Sequence, residues 1–229
     1  MRGKLIVFEG VEGCGKTTQL QRCLRWLETI DLKGENLGKK PLLSVTREPG
    51  GTSLGLGLRK LLLEGGEGLT EPDGTPQPIE DRAELLMYAA DRAQHVEQVL
   101  KPELELGAII LCDRYTDSTV AYQGYGRGLD LDLIQQLNQI ATDGLESDLT
   151  IWLDVDAEIG LQRARQRGRA DRIEQANLAF HQRVQQGFVQ LAASYPQRIV
   201  RIDASKDPDE VHLAIQEVLL QRLGEWGMK

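Results

Sequence analysis

An apolar run that feeds straight into a glycine loop and then a lysine leaves a chain few folds to adopt, and residues 4–18 contain one. Leu5 to Phe8 are apolar throughout, as expected of a central parallel strand covered on both faces. Gly10, Gly15, Lys16 and Thr17 then match G-x-x-x-x-G-K-[ST]. Beyond them Leu20, Cys23, Leu24 and Leu27 recur at three- and four-residue spacing, which predicts a helix with one buried stripe. Strand, loop and helix in that order make a phosphate cradle. Backbone N–H groups turn inward around the phosphates, the helix N-terminus adds partial positive charge, Lys16 supplies a mobile cation, and the Thr17 hydroxyl is a Mg²⁺ ligand. The competing reading, a strand-to-helix turn that binds nothing, needs the motif and both flanks to agree by accident.

The rest of the composition narrows the partners. A net charge of −8 over 229 residues repels a polyanion, so nucleic-acid binding is not expected and small molecules are. Cys14, Cys23 and Cys112 are an odd number without C-x-x-C spacing, which points away from disulfides and zinc and toward a reducing cytoplasm. The opening apolar run is too short for a signal peptide, and nothing later approaches a membrane span. No linker divides the chain, so a single domain over 1–229 is expected.

Taken in order, Leu42 to Thr46 predict a second strand, with Arg47-Glu48-Pro49-Gly50-Gly51-Thr52 at its C-terminal end, where open α/β sheets collect ligands. Arg47 there is either a phosphate clamp or a solvated arginine. Leu54 to Leu63 predict a helix; Glu64 to Pro78, with four glycines and three prolines, predict a loop, as does the polar stretch from Gly34 to Lys40. Ile79 to Leu100 read as one helix closed by Pro102. On it Glu84, Tyr88, Arg92 and His95 share a face that is either solvated or functional. Ala108 to Cys112 predict a third strand ending at Asp113, which is either a Walker B aspartate linked to Mg²⁺ or a helix cap. Thr116 to Gly128 read as a glycine-rich loop that closes over a flat ligand. Strands over Leu149 to Val155 and Ile199 to Ile202, with helices between, complete a five-stranded parallel sheet with helices on both faces. Arg163, Arg165, Arg167, Arg169 and Arg172 crowd ten residues, and form a mobile lid, a solvated helix face or an RNA contact. His181 and His212 read as surface residues.

Four stretches together resemble thymidylate kinases: Gly10 to Thr18, Thr46 to Thr52, Asp113-Arg114-Tyr115 with Ala121-Tyr122-Gln123-Gly124, and Arg163 to Glu174. The resemblance implies a P-loop kinase fold, transfer of the γ-phosphoryl group of Mg-ATP to dTMP, and a homodimer. It assigns ATP to Gly10, Glu12, Gly13, Cys14, Gly15, Lys16, Thr17, Thr18 and Arg163. It gives dTMP to Glu12 (sugar 3′-hydroxyl), Arg47 and Arg114 (phosphate), Arg92 (thymine carbonyl), Tyr88 (base stacking), Tyr122 (crowding the 2′ position) and Gln123. Thr17 and Asp113 become the metal-linked pair, and Lys16, Asp113, Arg114 and Arg167 the catalytic groups. Some members carry a catalytic arginine in the phosphate loop; Gly13 stands there, so the resemblance is to the bacterial type, with Arg167 in a lid over about 163–174. The rivals are a deoxynucleoside kinase, which needs a base such as Glu48 to deprotonate a hydroxyl, and a GTP-dependent switch, for which the N-K-x-D motif is missing.

Overall fold

A computed structural model of the chain describes residues 2–32, 41–64, 77–166, 168 and 171–229. The strands β1 (Lys4–Glu9), β2 (Leu43–Arg47), β3 (Ile109–Asp113), β4 (Leu149–Asp154) and β5 (Ile199–Asp203) pair in parallel in the order β2-β3-β1-β4-β5. The five-stranded α/β architecture expected from the alternating pattern is therefore present. Side chains of β1 alternate between two cores: Ile6 and Phe8 join the larger one, Leu5 and Val7 the smaller. Helices α1 (Lys16–Thr29), α8 (Leu178–Ser194) and α9 (Pro208–Glu225) cover the first core, with Cys23, Leu27, Phe188, Ile215 and Leu219 buried in it. The predicted loops over 34–40 and 64–78 lie almost wholly outside the described residues.

The long helix runs on past the expected stop. Helix α3 (Asp81–His95) continues through a π-helical stretch, Val96–Leu100, into α4 (Lys101–Glu105). Pro102 does not close it, because the widened turn precedes the proline and Val96, Leu100 and Leu104 still reach the second core. Nor is the stretch after Tyr115 a loop. Helix α5 (Thr116–Thr119) passes into a second π-helical stretch, Val120–Gly126. Its glycines serve close packing: a Cβ on Gly124 would lie 2.5 Å from Leu131 of α6 (Leu131–Thr142), and one on Gly126 2.7 Å from Phe180 of α8. Helices α2 (Ser53–Glu64) and α7 (Ala157–Arg165) complete the set. Among the described residues, no helix is long and apolar enough to cross a membrane.

Candidate active site

Strand order reverses at β1, which has β3 on one side and β4 on the other, so the loop after Glu9 opens in the crevice outside the carboxyl ends of the strands. Gly10, Gly13 and Gly15 all take positive φ, at 141, 70 and 95°. At Gly13 a Cβ would also lie 2.0 Å from the Gly160 carbonyl oxygen of α7. Helix α1 starts with no side-chain cap and no acidic residue in its first turn, leaving its N–H groups and dipole available to an anion. Lys16 is buried, and its Nζ donates to the carbonyl oxygens of Gly10 (3.0 Å) and Val11 (3.1 Å), which keeps the ammonium at the loop.

The strand register sets Asp113 level with Phe8 on β1 and Arg47 on β2. The Thr17 hydroxyl donates to Asp113 Oδ2 at 3.1 Å, so loop and strand bring two oxygen donors to one point. Asp113 does not cap the next helix, which starts at Thr116 without a side-chain cap. Arg114 follows at φ 72°, a left-handed conformation that costs a side chain about 1–2 kcal/mol. Its Nη1 donates to the Gly10 carbonyl and the Ser118 hydroxyl, each at 3.1 Å; its Nη2 pairs with Glu12 and donates to the Tyr122 hydroxyl at 3.0 Å. That hydroxyl in turn donates to Glu12 Oε1 at 2.9 Å. Burial opposes the Glu12 charge, yet Arg114, Lys16 and Tyr122 outweigh it and hold the carboxyl at a pKa of about 2. Beneath them buried Glu9 accepts from the N–H groups of Tyr115 (2.9 Å) and Ser118 (3.1 Å) and from the Ser118 hydroxyl (2.6 Å), which braces the strained turn. Burial raises its pKa to about 7, against the Arg114 charge.

The face of α3 that carries Glu84, Tyr88, Arg92 and His95 turns inward, with Glu84, Arg92 and His95 fully or almost fully buried. Arg92 Nε donates to Glu48 Oε2 (2.8 Å), Nη1 to the Thr119 hydroxyl (2.9 Å) and Asn138 Oδ1 (2.8 Å), and Nη2 to the Tyr115 carbonyl (3.0 Å). One of its five N–H groups has no partner among the described residues. The other Glu48 oxygen lies 2.9 Å from His95 Nδ1, and His95 Nε2 lies 2.7 Å from the Thr46 hydroxyl. These walls enclose a cavity of about 240 Å³ lined by Lys16, Arg47, Arg59, Arg114, Tyr88 and Arg92, among others. Asp171, Ile173 and Glu174 line it as well. Burial and then the charges of Arg47 and Arg114 hold the Arg59 guanidinium below its usual pKa, against the opposing charges of Asp113 and Asp171.

The sequence model of the thymidylate kinase family matches residues 8–215 of this chain. The chain belongs to the thymidylate kinase family. It is 61% identical over 220 residues to a thymidylate kinase of Nostoc punctiforme, with 96% of each chain covered. It is 58% identical over 229 residues to one from Trichormus variabilis, covering 99% of this chain and 100% of the other. The crystal structure of thymidylate kinase from Ehrlichia chaffeensis superposes with a TM-score of 0.72 at 32% identity, covering 96% of this chain and 100% of that one.

Most of the residues that the sequence singles out gather in one place, although Gly10 and Cys14 lie behind the cavity lining. Glu12, Gly13, Gly15, Lys16, Thr17, Thr18, Arg47, Tyr88, Arg92, Asp113, Arg114, Tyr122 and Gln123 all line the cavity. Arg163 does not: it donates to the carbonyl oxygens of Ala204 (3.0 Å) and Ser205 (3.4 Å), clasping the turn after β5 to α7. Arg165 is exposed, Arg172 docks on α2 and α3, and Arg167 and Arg169 lie outside the described residues. Arg59 and Thr119 also line the cavity, and neither carries a signal in the sequence. Arg59 is one arginine on a leucine-rich helix, and Thr119 one hydroxyl in a stretch that reads as loop. His181, expected at the surface, is fully buried, with Ile173 of the 171–176 turn against its ring. His212 is half-buried, with Nε2 3.1 Å from Gln216.

Proposed function

We propose that the cavity holds ATP along the phosphate loop and dTMP against α3, and that the γ-phosphoryl group passes between them to give dTDP and ADP. The observation that carries this is convergence: Lys16, Arg47, Arg59 and Arg114 come from α1, β2, α2 and the turn after β3, and line one cavity with Tyr88 and Arg92. A nucleoside monophosphate has a second pKa of about 6, so at pH 7 the attacking oxygen arrives ionised and needs no general base. The work left is to hold two mutually repelling anions in line and to spread the charge of the transferring group. Lys16 and the N–H groups of the loop take the ATP phosphates; Arg47, Arg59 and Arg114 take the dTMP phosphate. Glu12, ionised through the physiological range, accepts from the sugar 3′-hydroxyl. Tyr88 stacks on the thymine, the remaining Arg92 N–H and the Thr119 hydroxyl meet its polar edge beside Gln123, and Tyr122 crowds the 2′ position.

Thr17 and Asp113 offer the two hard oxygen donors that Mg²⁺ uses when phosphates and water complete its shell. When bound there it supplies charge neutralisation across the β- and γ-phosphates. Arg167, from a lid over about 163–174, supplies the further positive charge.

Both Glu48 oxygens are occupied by Arg92 and His95, which removes the base that a nucleoside kinase would use. ADP release measured with Mg-ATP and a panel of dTMP, thymidine, dUMP and AMP tests the assignment. Turnover with dTMP and none with thymidine is expected; thymidine turnover without dTMP turnover would overturn it. We further assign one domain over 1–229, a cytoplasmic location suited to three buried free thiols, and no nucleic-acid partner. A homodimer is supported by exposed Leu54, Leu56, Leu86, Leu133 and Ile140 on α2, α3 and α6, helices that pack in sequence on one another. Light scattering after gel filtration reads its mass directly.

A further inference from the structure

Glu84 lies on α3 with its side chain fully removed from solvent, a position a carboxylate keeps only when it is paired. Its Oε1 accepts from Gln123 Nε2 at 2.7 Å and from Arg127 Nε at 3.3 Å. Its Oε2 accepts from Arg127 Nη2 at 3.1 Å and from Arg172 Nη2. The two arginines are not equivalent. Arg127 also pairs with Asp81 at 3.3 Å and stacks 4.9 Å over the Phe180 ring, so it has other support. Arg172 has Glu84 as its carboxylate partner, and its remaining ties go to the end of α2: Nε to the Leu62 carbonyl at 2.8 Å and its backbone N–H to the Leu63 carbonyl at 2.9 Å.

The turn that carries Arg172 is stiff. Asp171 Oδ1 accepts from the N–H groups of Ile173 and Glu174, each at 2.9 Å, and Glu174 Oε2 accepts from the Asp171 N–H at 3.2 Å. Wherever Arg172 is anchored, Asp171, Ile173 and Glu174 follow, and these three line the same cavity as Lys16 and Arg114. We propose that Glu84 is a positioning residue for phosphoryl transfer: from outside the cavity lining it pins the 171–174 turn over the cavity through Arg172, and so excludes water from the transferring group. Water exclusion is the property to measure, because an exposed γ-phosphoryl group is lost to hydrolysis.

The proposal rests on the dTMP kinase reading, and the unmodified enzyme tests that reading first, since silence with dTMP would fail it before any variant is compared. Glu84→Gln, Arg172→Gln and the double variant are then assayed for ADP release with and without dTMP. A lost charge-assisted hydrogen bond corresponds to about 10- to 100-fold, so each single variant is expected to lower the dTMP-dependent kcat by that factor. The ratio of dTMP-independent to dTMP-dependent ADP release should rise by a similar factor, and the double variant should be no worse than the poorer single one. Multiplying effects in the double variant, or a lowered kcat with an unchanged ratio, would overturn the proposal. Should Glu84→Gln fail to fold, Arg172→Gln, at a partly exposed turn, decides alone: wild-type kcat and ratio would overturn it.

Discussion

Asp91→Asn should stabilise this protein at neutral pH, by an amount that depends on pH in a calculable way. Asp91 is fully buried on α3; its Oδ1 accepts from the Gly50 N–H at 3.0 Å, while Oδ2 has no partner among the described residues. Burial, and then the charge of Glu48, raise its pKa from 3.8 to about 6. Well below the unfolded pKa of 3.8 the carboxyl is protonated in both folded and unfolded chains and the favourable contribution is fully present. As pH rises through 4 to 6 the unfolded chain ionises first, and that contribution is lost. Each pKa unit corresponds to about 1.4 kcal/mol, so the loss levels off at about 3 kcal/mol above pH 7. Asparagine keeps the acceptor for Gly50 and carries no charge at any pH. Urea unfolding of both proteins from pH 4 to pH 8, at one protein concentration, should show stabilities that converge near pH 4 and separate by about 2–3 kcal/mol at pH 7.5. Glu9, with its pKa raised to about 7, adds its own decline to both curves, so the difference between them isolates Asp91. Parallel curves across this range would refute the account of Asp91 as a desolvated charge.

Three further substitutions have expected outcomes. Arg167→Ala should lower kcat by about 10³-fold, on the scale of an arginine finger, with the dTMP KM little changed; an unaltered kcat would move the role to a neighbouring arginine. Gly13→Ala should cost roughly 2–4 kcal/mol, from a positive φ and a Cβ driven against the Gly160 carbonyl, and lower Tm by roughly 4–16 °C; a wild-type Tm would mean that α7 gives way freely. Arg92→Ala strands buried Glu48 and should cost about 3–5 kcal/mol in denaturant unfolding, besides raising the dTMP KM; a loss under about 1 kcal/mol would show that His95 alone compensates Glu48.

What the order of residues announces is local. The phosphate loop, its strand and its helix follow from adjacent residues and two periodicities, so Gly10 to Thr18 and the buried stripe of α1 emerge directly. Each strand is legible to within a residue or two for the same reason. Where a residue's state depends on what lies across the fold, the pattern misleads. Pro102 resembles a stop because nothing nearby announces a π-helical turn, and Tyr122 to Gly128 resemble a loop because glycines chosen for contact with Leu131 and Phe180 look like glycines chosen for freedom. His181 reads as solvated because the 171–176 turn that covers it leaves no mark on the residues beside it.

The alternating strands and helices, the nucleotide cradle and the likeness to a kinase family need nothing but the chain's own order, because each is written in neighbouring side chains. Which arginines share a cavity is settled in three dimensions. Arg47, Arg59 and Arg114 meet only because β3 lies between β1 and β2 and α2 folds back over their carboxyl ends, and Glu84 meets Arg172 across 88 positions of chain. Such meetings are fixed by strand order and helix packing, which no short-range period encodes.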